Sequence, residues 1–273
     1  MLDRTALIYR YDGTQDGLLC CVYEAMAKRE QPMMILSARE MQSMLFEDRF
    51  IETDPAVARR VADAIRGRIS EDALTMVGRA LLTHLPGKEI HLLDVLRRAF
   101  REGPGLLSNL SDPAVYKLNR AITFLEREAH LLTGFIRFRE SDGVLTAVIE
   151  PKTQVLKLLA PHFTDRFRQE TFLIHDRTHG EALVHRAAGA AGRGETRIVP
   201  VEAFEQAPPG AQEQAFQRLW RAFFRTIAIE GRENPACQRT HMPKRYWAQM
   251  TEHQPESAWP EALPLSPVQG LCP

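Results

Sequence analysis

Five of the nine histidines lie between positions 130 and 185, at His130, His162, His175, His179 and His185, interleaved with Glu128, Glu150, Asp176 and Glu181. Imidazole and carboxylate groups are the ligand set of zinc, manganese or iron, so a metal centre is one chemistry this stretch could hold. Against it, no HExxH is present and the ligands would have to converge from separate elements. Without a metal, a His and a Glu on facing elements can exchange a proton with a reacting group near neutral pH. We expect His130, Glu150 and His162 to form such a polar cluster, supported by Asp176, with Arg137 and Arg166 holding a phosphate or carboxylate bidentately. The competing expectation is an ion-pair network in which Arg137 and Arg166 satisfy Glu150 and Asp176 and nothing turns over. No nucleophile stands out, because Cys20 and Cys21 sit in an apolar helical pattern and no G-x-S-x-G elbow occurs.

A second constellation lies downstream. Arg232, Arg239, Lys244, Arg245, Tyr246 and Trp247 interleave cations with aromatics, which can neutralise phosphates while a ring stacks on a base. The same pattern also serves to dock a C-terminal helix, with Trp247 buried and the cations at its rim. A third candidate is the glycine turn Gly13 to Gly17 between a strand and a helix, where backbone N–H groups could face a phosphate. Its spacing matches neither phosphate-loop signature, and Asp12 and Asp16 would repel an anion.

These side chains need elements to position them. Gly134 to Arg139 alternates, Ser141-Asp142-Gly143 supplies a turn and Val144 to Ile149 returns, which predicts a hairpin. A second hairpin is predicted from Phe172 to Asp176 and Glu181 to Arg186, reversing near Gly180. Between them Val155, Leu158, Leu159 and His162 fall at helical spacing, with Pro161 producing a kink or a break and restart. The order β-β-α-β-β predicts an α+β fold, an antiparallel β-sheet with packed helices and a helical subregion.

Upstream, Thr5 to Tyr11 reads as a strand and Asp16 as the cap of a helix through Met26. Asp54-Pro55, Ser70 and Ser111-Asp112-Pro113 start further helices, and Gly103 closes one centred on Leu93 and Leu96. Ala211 to Glu230 is an amphipathic helix with Phe216, Leu219, Trp220, Phe223, Phe224 and Ile227 on one stripe and Gly231 as its cap. Residues 1–50 form a strand–helix segment, 51–130 the helical subregion, 131–253 an α+β core ending in the basic aromatic segment, and 254–273 a disordered proline-rich tail.

Lys plus Arg and Asp plus Glu both number 35, so no global charge announces nucleic acid. Arginine outnumbers lysine by 29 to 6, however, and guanidinium forks suit phosphate and carboxylate. The four cysteines show no CxxC, which fits reduced and mostly buried thiols in a cytoplasmic protein. No apolar run approaches the roughly 18 residues that would span a bilayer.

Several motifs carry a resemblance. They are Glu128-Ala129-His130, Gly134 through Phe138, Glu150-Pro151, Ala160-Pro161-His162-Phe163 with Arg166-Phe167, and Ile174-His175-Asp176. Leu219-Trp220, Ile229 through Pro235 and Gln238 through Trp247 follow, and Tyr11 through Thr14 with Asp16 through Leu18 match upstream. On these the chain, from about residue 9 to about residue 253, resembles a bacterial family of unknown function associated with DNA metabolism or DNA repair. Genes of that family tend to lie beside one for a radical SAM protein of DNA repair, and its domain is sometimes fused to a uracil-DNA glycosylase-like domain. The resemblance implies a DNA-binding or DNA-processing accessory with those partners. The alternatives are a His/Glu- or metal-dependent enzyme acting on a nucleotide or damaged base, and a protein–protein adaptor using exposed Phe and Trp residues of the helix 211–230.

Overall fold

The computed structural model describes residues 7–38, 48–188 and 194–254. The chain divides into two compact units, Met1–Thr133 with Pro151–Phe163, and Gly134–Glu150 with Thr164–Pro273. Helices and mixed sheets make it an α+β protein. The expected proline-rich tail 255–273 lies outside the described residues.

The first unit opens with β1 (Ile8–Tyr11), α1 (Gln15–Ala27), β2 (Met34–Ser37) and β3 (Asp48–Phe50), the strands ordered β2-β1-β3 and all parallel. Only β1 was legible in the sequence, since β2 and β3 are too short to show a period. Thr14, not Asp16, caps α1, accepting from the Gly17 N–H at 3.0 Å. The Asp12 carboxylate fills the turn instead of an anion, taking bonds from Thr14 N, Thr14 Oγ1 and Thr53 Oγ1 at 2.7–2.9 Å. A Cβ at position 17 would strike that carboxylate, so the glycine serves close packing.

Four helices follow: α2 (Pro55–Arg68), α3 (Glu71–Leu81), α4 (Lys88–Glu102) and α5 (Pro113–Phe135). Their starts are chemically marked, as expected. Asp54 accepts from Ala56 and Val57, Ser70 from Ala73, and Asp112 from Ala114 and Val115. Gly103, at φ 92°, closes α4. The apolar faces bury Ile65, Leu74, Val77, Leu92, Leu93, Leu96, Leu118 and Ile122 with Tyr9, Leu18 and Leu19 in one core. Inside it the Tyr11 hydroxyl donates to buried Glu89 at 3.2 Å. Cys20 and Cys21 belong to this core too, and burial pushes the Cys21 thiol up to about 12. Cys237 is exposed.

The second sheet runs β4 (Arg139–Ser141), β5 (Val144–Ile149), β6 (Thr171–Asp176), β7 (Glu181–Arg186) and β8 (Glu195–Pro200) in chain order. Both expected hairpins form. Asp142 and Gly143 take positive φ between β4 and β5, and Gly180 does so between β6 and β7. The uniformly antiparallel sheet is corrected: β5 and β6 pair in parallel, Ile149 beside Asp176. The chain between them passes through α6 (Leu156–Arg166), long enough to return it to the end from which β5 started. α6 continues through Pro161 without a restart.

Two more boundaries move. The expected strand Gly134–Arg139 gives way to α5, which extends through Phe135 on the spacing of Leu125, Ala129 and Leu132, leaving three residues for β4. The edge strand β8 was missed because its accessible side chains give little alternation. After it come α7 (Ala211–Ile227), which stops short of Gly231, and α8 (Pro235–His241), then short 3₁₀ helices at Lys244–Gln249 and Thr251–His253. Among the described residues no helix is long and apolar enough to cross a membrane.

Candidate functional site

Helix α5 delivers Glu128 to the interior of the first unit, as its spacing from the apolar positions requires. The carboxylate accepts from the Lys152 and Thr153 N–H groups at 3.1 and 2.8 Å and from Thr153 Oγ1 at 2.6 Å. It is 1% exposed and serves as an anchor for the chain entering α6. Two residues on, His130 points to the exposed side, and His162 is exposed on α6, edge-on to Phe163 at 4.9 Å. Within that unit the two imidazoles share no hydrogen bond or ring contact among the described residues. Glu150 belongs to the second unit, exposed at the end of β5, where its carboxylate takes the Arg177 guanidinium at 2.7 Å and Gln249 at 3.5 Å. Among the described residues no group of three His, Cys, Asp or Glu side chains could hold a metal ion.

The expected ion-pair network has other partners. Arg137 grips Glu252, with Nη2 and Nε at 2.6 and 3.2 Å from the two carboxylate oxygens, and lies 5.3 Å over the Trp220 ring. Trp220 Nε1 donates to the same carboxylate at 3.0 Å. Burial pulls the Glu252 carboxyl up, but these donors outweigh it and hold it below its ordinary value. Arg137 therefore joins the C-terminal turn to α7 and has no need of Glu150. Arg166 is exposed beside Phe167, 5.7 Å from the ring centre. Glu252 had no motif to mark it; its partner lies 115 positions away.

Asp176 pairs instead with a histidine on its own turn. It is 1% exposed at the end of β6 and accepts from the His179 N–H at 3.1 Å and from Nδ1 at 2.6 Å. This bond fixes the ring orientation and leaves Nε2 as the second nitrogen, an arrangement able to carry a proton. Beside it sits the Glu150–Arg177 pair, since parallel pairing puts the ends of β5 and β6 together. His175 and His185 are buried: His175 Nε2 lies 3.3 Å from the Val201 carbonyl, and His185 contacts Thr196 and stacks on Phe172.

In the basic segment Arg232, Arg239, Lys244 and Arg245 are exposed. Tyr246 is buried, under the Arg245 guanidinium at 4.6 Å and against Phe135. The Trp247 indole donates to the Met242 carbonyl at 3.0 Å and stacks on His253, ring centres 4.4 Å apart and 12° from parallel. Burial keeps His253 below the ordinary histidine value. The aromatic members thus pack the segment, and the cations form its rim, with Lys244 5.7 Å over the Trp247 ring.

The model of the domain-of-unknown-function family DUF4130 matches residues 86–252. The chain belongs to this family. No curated protein matches it. The DUF4130 match begins just before α4 and takes in α5, the second sheet, α7 and α8, and so contains the His/Glu candidates from Glu128 to His185 and the basic segment from Arg232 to Trp247. The parallel sheet β2-β1-β3 and the turn at Asp12 lie outside it, as do the upstream motifs of the resemblance.

Proposed function

We propose that this DUF4130 protein is a DNA-binding or DNA-processing accessory of a bacterial DNA repair or DNA metabolism pathway. Its working partners would be a radical SAM protein of DNA repair or a glycosylase-like module, in the cytoplasm. The observation that supports the reading is the exposure of Arg232, Arg239, Lys244 and Arg245 with Glu233 as the sole acid from 232 to 245. Cations so placed release counterions when they meet phosphates, and binding then weakens steeply with salt. Because Tyr246 and Trp247 are engaged in packing, this rim contributes charge and not base stacking.

The test is fluorescence anisotropy with single-stranded and duplex DNA, intact and uracil-containing, across a salt series. Each phosphate contact contributes about 0.9 to the slope of log affinity on log salt. Lys244→Ala with Arg245→Ala should therefore weaken binding and flatten the slope by about 2. Unchanged affinity and slope would remove this segment from the DNA-binding reading.

A further inference from the structure

The Trp247 indole is fixed in its plane and only half-buried. Its Nε1 donates to the Met242 carbonyl at 3.0 Å, on the short 3₁₀ helix Lys244–Gln249. The His253 imidazole lies on it face to face, ring centres 4.4 Å apart and planes 12° from parallel. A nucleobase stacks on an aromatic side chain in the same way. Burial lowers the proton affinity of His253, which favours a neutral flat heterocycle on the indole, again as a base would be. Tyr246 offers no such platform, being 5% exposed.

The turn that carries His253 is anchored more firmly than the ring itself. Thr251 is buried and its carbonyl accepts from Arg221 Nε at 3.0 Å, Glu252 is gripped by Arg137 and Trp220, and the His253 N–H donates to the Met250 carbonyl at 3.0 Å. The imidazole is held by ring contacts, the Trp247 stack and the edge of Phe224 at 5.8 Å. Its Nε2 is buried and finds no hydrogen-bond partner among the described residues. A buried polar atom without a partner forfeits its hydration, so swinging the ring aside about its own side-chain bonds lets Nε2 regain water while the turn stays seated. The surroundings suit a phosphodiester strand. Lys244 Nζ lies 5.7 Å from the centre of the Trp247 ring, and Arg245 and Arg239 are exposed. Glu252, next to His253, has its charge met by Arg137.

We propose that Trp247 is the stacking platform for an unpaired base of single-stranded DNA, and that His253 occupies it in the free protein as an internal stand-in which the base displaces. The inference rests on the DNA-binding reading above and adds the form of DNA that is bound. With His253 in place the rim offers charge alone; with His253 swung aside it offers charge and a ring, which together follow a single strand without reading its sequence. Duplex DNA gains nothing from the exchange, because its bases would first have to leave their own stack.

The test compares two oligonucleotides of equal length on the full-length chain by fluorescence anisotropy, one of deoxythymidine and one abasic, which keeps the phosphates and lacks the bases. The deoxythymidine strand should bind about fivefold more tightly or better, the effect of one stacked base, and should quench the intrinsic tryptophan fluorescence where the abasic strand does not. His253→Ala, which vacates the ring, should widen the ratio by a further factor of roughly two to ten, the contribution of one ring pair, with abasic binding unchanged. Equal affinity of the parent for both strands, with a steep salt slope, would overturn the proposal and leave the charge-based reading standing. That comparison needs no variant, so it decides the matter even if His253→Ala fails to fold. A base preference that His253→Ala leaves unchanged, at an unaltered melting temperature, would place the base elsewhere and overturn the proposal as well. If neither strand binds at low salt, the DNA-binding reading falls and this inference falls with it.

Discussion

Helices α5 and α7 are both amphipathic, and they stand in opposite relation to water. α5 buries Val115, Leu118, Ile122, Leu125, Ala129 and Leu132 and leaves Arg127 and His130 outside. α7 buries Glu213 and Gln217 and leaves Phe216, Leu219, Phe223 and Ile227 outside. Covering such a side chain is worth about 1.5–3 kcal/mol, so α5 collects this stabilisation within the fold and α7 forgoes it. Helical periodicity establishes that one side of a segment seeks cover; it does not say whether the cover comes from the same chain.

The largest test of this contrast replaces one leucine on each side of it. Leu96→Ala, in the core of the first unit, should cost about 2–5 kcal/mol in urea denaturation, because it leaves a cavity among fully buried neighbours. Leu219→Ala should stay within about 0.5 kcal/mol of the parent. A comparable loss at position 219 would show that the stripe is already covered.

A smaller effect compares the buried carboxylates of the two helices. Glu128→Gln puts an amide where three donors converge and should cost about 1–3 kcal/mol. Glu213→Gln disturbs one backbone donor and one side-chain donor, for about 1 kcal/mol. Equal costs from the two denaturation curves would mean that α7 is as firmly seated as α5.

The smallest effect concerns how the two helices begin. α7 starts at Gly210 without a side-chain cap, whereas Asp112 caps α5 and pairs with Arg98 at 2.5 Å. The Arg98 guanidinium and the Val115 N–H hold the Asp112 carboxyl at about 2, below its ordinary 3.8. A lowered value means that the contribution is complete above 3.8 and fades as pH falls toward about 2. The stability advantage of the parent over Asp112→Asn should therefore shrink across that interval in acid melts. A constant difference would show that the ion pair does not act through this proton.

Much of the helical part was legible, because its signals span a few residues. Asp54, Ser70 and Asp112 each cap a helix within three positions of themselves, and Gly180 turns a hairpin on its own φ. The candidate site was less so. His130, Glu150 and His162 are motif residues with separate settings, whereas the Asp176–His179 pair is short enough in sequence to have been read. Glu252 could not have been, since nothing local binds it to Arg137.

The sequence by itself determined where helices start, which strands turn back on each other and which side chains form a stripe, all of them matters of local backbone geometry. Tertiary structure alone decided that β5 and β6 run in parallel, that Tyr246 and Trp247 pack while their neighbouring cations face water, and that α7 shows its apolar side to solvent. Each of these depends on which distant segment arrives to form the contact, and short-range periodicity carries no record of that choice.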